Sequence, residues 1–258
     1  MVSISTCFDY TMSLDDQFKL ANEVGFKHIS LSSNYEHNGL LNSLEHIITL
    51  KNKYNMRIDT IHGCQIADNN CIDTLYIIAH AARKLESDTI VIHPCPFFVR
   101  ETEVEDKLNI LLSKASELEN IAKRFNIKFA LENLHPDGAT IVLKRALDVM
   151  DKNYFGMCYD STHAQIDGPR KFELLEEYRN RIIAVHISDR IKEFVDHVVP
   201  GEGFIDFSTV MKHLREIDYN KPILMEVLSD YTSFKNTKVL VKEAYNKAIE
   251  LRRMLLNS

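Results

Sequence analysis

The chain has 258 residues, of which 45% are hydrophobic and 26% charged, proportions of a globular protein with a sizeable core that exclude a disordered chain. Its formal net charge of −6 supplies no overall basic field to draw it to nucleic acid or to an anionic membrane. The longest apolar stretch, 75–82, is interrupted by His80 and falls short of the ~20 residues a membrane span needs, and no cationic segment precedes a long apolar core at the N-terminus. A cytoplasmic location without membrane contact is the expectation.

In chain order, short β-rich runs alternate with amphipathic stretches. A strand at 2–6 leads to a helix at 13–24, where Ser13 precedes Asp15 and Asp16 as a capping residue before acids. Strands at 27–31, 57–62 and 89–93 are followed by helices at 41–54, 71–85 and 104–125. Strands at 128–132, 155–160 and 182–186 are followed by helices at 140–150, 171–178 and 206–217, the last opened by Asp206 with Val210, Leu214 and Ile217 on one face. A strand at 222–226 and a helix at 234–256 complete the series. The strict β-then-α order predicts a parallel sheet, and its repetition predicts closure into a single (β/α)8 TIM barrel, one domain over 1–258, since that fold takes about 250 residues. The first strand-to-helix turn has no G-x-G-x-x-G, so a dinucleotide fold has no support. Cys7, Cys64, Cys71, Cys95 and Cys158 include no C-x-x-C pair and read as reduced packing thiols.

Several strands end on a metal-binding side chain: His62, His93, Glu132, Asp160, His186 and Glu226 close the third to eighth. All strands of a parallel barrel end at one rim, where barrel enzymes keep their chemistry, so these groups should converge on a single mouth. Glu132, Asp160, His186 and Glu226 form an oxygen-rich set suited to one divalent ion, Mn, Mg, Co or Zn. Uncompensated acids crowded there would repel each other strongly. His163, three residues after Asp160, can reach the same mouth, and His62, His93 and His197 are expected to bind substrate or further metal. His28, His37, His46, His80, His135 and His213 read as structural or exposed. Arg100, Arg170, Arg190 and Lys192 stand in rim loops where a phosphate could be held, Arg190 foremost as a substrate contact.

At Leu131-Glu132-Asn133-Leu134, Tyr159-Asp160-Ser161-Thr162-His163, Val185-His186-Ile187-Ser188-Asp189, Pro200-Gly201-Glu202-Gly203-Phe204-Ile205-Asp206 and Met225-Glu226 the chain resembles the xylose-isomerase-like TIM barrels. That superfamily holds sugar epimerases and isomerases together with endonuclease IV. In the sugar branch the resemblance implies that Glu132, Asp160, His186 and Glu226 hold one divalent ion against the carbonyl and neighbouring hydroxyl of a sugar, sugar phosphate or polyol ketone. Glu132 and Glu226 would face each other across this carbohydrate, one removing a proton to give an enediolate-like intermediate and the other returning it. Two bases give epimerisation; one base shuttling between neighbouring carbons gives aldose–ketose isomerisation. The resemblance also implies that His163 contacts substrate oxygens and that Glu202 belongs to the loop shaping the pocket.

In the endonuclease IV branch the same likeness assigns His62, His93, Glu132, Asp160, His163, His186, His197 and Glu226 to three zinc ions that hydrolyse a phosphodiester at abasic DNA. Here Val195 stands where that branch has an aspartate, with Asp196 one step out of register, and the loop 32–40 offers no basic residue for phosphate. The departures and the acidic charge rank DNA hydrolysis second. A non-catalytic ligand-binding barrel ranks lower, because all four central ligands stand. No exposed apolar stripe in the sequence indicates an oligomeric state.

Overall fold

The computed structural model describes residues 1–32 and 44–256. His37, the start of the helix expected at 41–54 and nearly all of the loop 32–40 lie outside the described residues. Eight parallel strands close into a barrel in sequence order: β1 (Val2–Ser5), β2 (His28–Leu31), β3 (Arg57–Gln65), β4 (Thr89–His93), β5 (Lys128–Glu132), β6 (Phe155–Asp160), β7 (Ile182–Ile187) and β8 (Ile223–Met225), with β8 pairing back to β1. Around it lie α1 (Leu14–Val24), α2 (Leu44–Lys53), α3 (Cys71–Leu85), α4 (Val104–Phe125), α5 (Gly138–Val149), α6 (Glu173–Glu177), α7 (Phe207–Glu216) and α8 (Thr237–Leu256). Among the described residues no helix is long and apolar enough to cross a membrane.

Period-2 alternation builds both the core and the mouth. Ile90, Ile92, Phe129, Leu131, Met157, Tyr159, Val185 and Ile187 face outward and are buried under the helices. Val91, Ala130, Cys158 and Ala184 face the axis as a separate buried cluster, where small side chains fit the narrow interior. Two residues further along the same face of each strand stand His93, Glu132, Asp160 and His186. The alternation that packs the barrel therefore delivers its polar residues to the upper rim.

Local chemistry sets the element ends. The Ser13 hydroxyl accepts the Asp16 N–H at 3.2 Å to start α1. Glu86 and Asn126 adopt left-handed backbone to end α3 and α4. Helix α5 starts at Gly138, before the expected 140, because Asp137 accepts the Ala139 N–H at 2.8 Å. A Cβ at Gly138 would overlap the Val99 carbonyl, so glycine permits that loop to approach. Strand β3 continues past His62 to Gln65 across a register shift against β4. Helix α8 begins at Thr237, after the expected 234, because Thr232 and Ser233 turn back to bind Glu202.

Asp59, on β3, is pushed up to about 7 by loss of solvent, which outweighs the opposing influence of Ser3 and Lys221. The unfolded carboxyl titrates near about 4, so the folded chain binds this proton more tightly. Stability from this group is therefore lost as pH rises from about 4 through about 7. Asp59→Asn is expected to raise the melting temperature at pH 8 and to leave it nearly unchanged at pH 4, which thermal unfolding at the two pH values checks.

Candidate functional site

Glu132 occupies the centre of the mouth. Its Oε2 lies 3.0 Å from His62 Nε2 and 3.2 Å from His93 Nε2, while its Oε1 lies 3.1 Å from His186 Nδ1 and 3.5 Å from His163 Nδ1. His186 Nδ1 is also 2.7 Å from Glu226 Oε2, so two carboxylates from opposite flanks share one imidazole nitrogen. Glu226 stands one residue beyond β8, yet its N–H still continues the ladder to the Ile187 carbonyl at 3.0 Å. Three groups of side chains bring donor atoms within 4.8 Å of one another: Glu132, Asp160, His186 and Glu226; His62, His93 and Glu132; and Asp160, His163 and His197. The structure thus gathers eight of the residues singled out in the sequence.

The two oxygens of Asp160 have different surroundings. Oδ1 accepts the Thr162 N–H at 2.7 Å, the Thr162 hydroxyl at 2.8 Å and the His163 N–H at 2.8 Å, closing the turn after β6. Oδ2 is buried and has no hydrogen-bond partner. Asn133 fixes the strand end by bonding both the N–H and the carbonyl of Asp160, at 2.7 and 2.9 Å. His163 Nδ1 is 3.0 Å from the Asn133 carbonyl, and His62 Nδ1 is 3.0 Å from the Gly63 carbonyl. A carbonyl only accepts, so both Nδ1 atoms carry protons, while His62 Nε2 meets Glu132 Oε2.

Electrostatics couple these groups. Burial opposes ionisation of Glu132, but His186, His62 and His93 more than offset it and hold the carboxyl well below its usual range. Burial likewise opposes charge on His186, yet its hydrogen bond with Cys158 and the carboxylates of Glu226 and Glu132 raise its pKa well above the ordinary imidazole value. Glu226 is lowered against its own desolvation, chiefly by His186. Burial pushes Cys158 up to about 12, which keeps this thiol neutral beneath the mouth.

Arg190 and Glu202 both tie rim loops together. Arg190 has no exposed surface, and its guanidinium donates to the Thr162 carbonyl at 3.0 Å, to the Lys192 carbonyl at 3.3 Å and to Asp196. It holds loops together. Asp196 accepts from Arg190 and lies 2.9 Å from His197 Nδ1, so it orients the ring. Burial works against charge on His197, but Asp196 raises its pKa to about 9, and its backbone is left-handed at φ 54°, a strained conformation for a non-glycine residue. Glu202 accepts the Val199 N–H, the Thr232 hydroxyl and the Ser233 N–H at 2.9, 2.6 and 2.7 Å, tying the loop after β7 to the loop after β8. Arg100 and Arg170 form local ion pairs with Glu103 and Asp167.

Asp189 closes one of the segments that carry the resemblance but was given no role of its own. Its carboxylate collects the N–H groups of Arg190, Gly201, Gly203 and Ile205 at 2.8 to 3.1 Å and so shapes the whole loop. A Cβ at Gly203 would overlap the Arg190 carbonyl and this carboxylate. Gly203→Ala is expected to lower stability by about 2–4 kcal/mol, a strain effect on a buried network that urea unfolding would measure. Also unanticipated is a run of aromatic rings, Phe97, Phe98 and Phe194, with His135 against Phe98 at 4.7 Å.

Comparison with known proteins agrees with this architecture. The D-tagatose 3-epimerase-like protein superposes with a TM-score of 0.76 at 23% identity, covering 99% of each chain. The zinc-bound IolI protein superposes at 0.75 with 17% identity over 100% of each chain. At such identities the likeness speaks for the fold. An inosose dehydratase of Clostridium perfringens is 28% identical over 148 residues, 49% of this chain and 49% of that protein. A Methanocaldococcus jannaschii protein is 31% identical over 188 residues, 63% of this chain and 62% of its own, so the chain spans less than two thirds of either relative. The profile of the xylose isomerase-like TIM barrel family matches residues 65–253, from the end of β3 into α8. The chain belongs to the xylose isomerase-like TIM barrel family.

Proposed function

We propose that this chain is a divalent-metal-dependent isomerase or epimerase of a sugar, sugar phosphate or polyol ketone. The observation that carries the reading is the pair Glu132 and Glu226, two buried or nearly buried carboxylates that meet at the same nitrogen of His186. The residues fit a divalent ion on their own chemistry. Asp160 keeps a buried oxygen with no partner, and three acids with one imidazole are a donor set for Mn, Mg, Co or Zn. Glu132, Asp160, His186 and Glu226 would hold it. Such an ion, when bound, supplies Lewis acidity toward the carbonyl and adjacent hydroxyl oxygens of a sugar.

The chain's own groups do the rest. Glu132 and Glu226 are held ionised, as acceptance of a carbon-bound proton requires. One takes the proton beside the carbonyl and the other returns it from its own side. His62 and His93 fix Glu132, while His163, anchored through Asn133, presents Nε2 toward substrate oxygens. The relatives support a carbohydrate substrate, since an inosose dehydratase and an epimerase-like protein are among the matches.

A second reading, three-zinc phosphodiester hydrolysis, is favoured by the three adjoining donor groups. Against it, Asp196 is spent on Arg190 and His197. Deuterium uptake from solvent into a panel of ketoses, ketose glycosides and inososes, followed by NMR, tests the first reading. Exchange at the carbon beside the carbonyl is expected, and no exchange by the metal-loaded protein on any member would sink it. Elemental analysis separates the two, with about one ion per chain expected here and about three zinc ions under the alternative.

A further inference from the structure

The mouth continues outward along a line of rings. His163 lies 5.9 Å from His197 and 5.0 Å from Phe97; Phe97 lies 4.9 Å from Phe98, and Phe98 lies 6.4 Å from Phe194. The inner members belong to the donor cluster, whereas Phe98 and Phe194 are 53% and 55% exposed. Both outer rings are held in place by their loops. The His135 N–H donates to the Phe97 carbonyl at 3.3 Å, stitching the loop after β5 to the loop after β4, and His135 packs against Phe98. Phe194 sits in a turn closed by the Ile191 and Val195 N–H groups, with a left-handed φ of 56° that a bulky side chain adopts only under constraint. Two large apolar rings thus stand in solvent at the edge of a polar mouth, next to a polarisable imidazole and, among the described residues, with no cation stacked on either.

We propose that Phe98 and Phe194 form an outer subsite for a second ring, so that the substrate is a glycoside of a ketose or polyol ketone and not the free monosaccharide. This deepens the isomerase or epimerase reading and rests on it. The polarised C–H face of a pyranose packs on the negative faces of aromatic rings, needs no counter-ion, and leaves its hydroxyls in water. The Phe98 and Phe194 planes are inclined by 54° with centroids 6.4 Å apart, close enough for one sugar ring to touch both. A unit reacting at Glu132 would reach this corner through its glycosidic substituent, past Phe97.

Maltulose, a glucosyl-fructose, is the probe and D-fructose the control, with saturation-transfer NMR on the full protein as purified. Irradiation of aromatic protons is expected to reach the glucosyl ring of maltulose, and the Phe98→Ala, Phe194→Ala double variant is expected to weaken that transfer about fivefold or more. Transfer to the fructosyl unit should persist in the variant, which serves as its own control for folding. No transfer to the glucosyl ring, or equal transfer in the variant, overturns the subsite. So does a change in sedimentation of the double variant, which would make the rim an interface between copies of the chain. If ring transfer behaves as stated while neither maltulose nor any free ketose exchanges deuterium, the isomerase reading alone fails.

Discussion

Glu226→Gln is expected to lower the rate of carbon-bound proton exchange by about 10²–10⁴-fold, the usual contribution of a positioned general acid or base, with metal content unchanged. The amide keeps a carbonyl oxygen where the carboxylate stood, so a ligand survives, but the group no longer accepts a proton. Glu132→Gln should produce the same loss of rate together with a loss of stability. Glu132 faces His62, His93 and His186 at 3.0 to 3.2 Å, and removing its charge leaves the partly buried His62 and His93 without their anion. Breaking one partner out of a buried ionic cluster costs about 3–5 kcal/mol. Turnover, metal per chain and unfolding midpoint, measured on both variants, separate the roles: Glu226 acts on rate, and Glu132 acts on rate and on the integrity of the mouth. Near-normal turnover in both would end the two-carboxylate mechanism, whatever the metal content.

The convergence of these residues was legible because it depends on periodicity. An apolar run closing on Glu132, Asp160 or His186 encodes both the strand and the side of the barrel its last residue faces. Helices α3 and α4 match their expected bounds because their amphipathic runs stop there, α4 at Asn126, a residue that tolerates left-handed backbone. Loop chemistry was not legible in the same way. Arg190 in a polar loop reads as a cation available to substrate, and only the meeting of that loop with the Thr162 carbonyl and Asp196 buries it. Glu202 has the composition of a pocket residue, but its partners Thr232 and Ser233 lie in a different loop, brought near by barrel closure. The Phe97–Phe98 pair reads as ordinary apolar content until its contact with His163 places it beside the donor cluster.

Asp160→Asn should abolish metal retention with little effect on the metal-free fold. The turn after β6 needs only an acceptor at Oδ1, which an asparagine oxygen also provides to Thr162 and His163. The other position matters more. There the carboxylate has a buried oxygen without a partner, a costly arrangement for an acceptor unless a cation completes it. An amide nitrogen at that point carries hydrogens, cannot donate a lone pair, and turns positive density toward an incoming ion. The wild-type protein should therefore lose stability to a chelator, by about 2.7 kcal/mol if free metal stands near 100 times its dissociation constant. For a chain of this size that is a fall of roughly 5–10 °C in melting temperature. Asp160→Asn should melt at the metal-free wild-type temperature or slightly above it, with or without chelator, since the variant also relieves repulsion from Glu132 and Glu226. Thr162→Val, which removes one bond to Oδ1 and no charge, should keep both the metal and the chelator response. If Asp160→Asn instead retained a full complement of metal and a chelator-sensitive melt, the unpartnered oxygen would not be a ligand, and the donor set would have to be rebuilt around Glu132, His62 and His93.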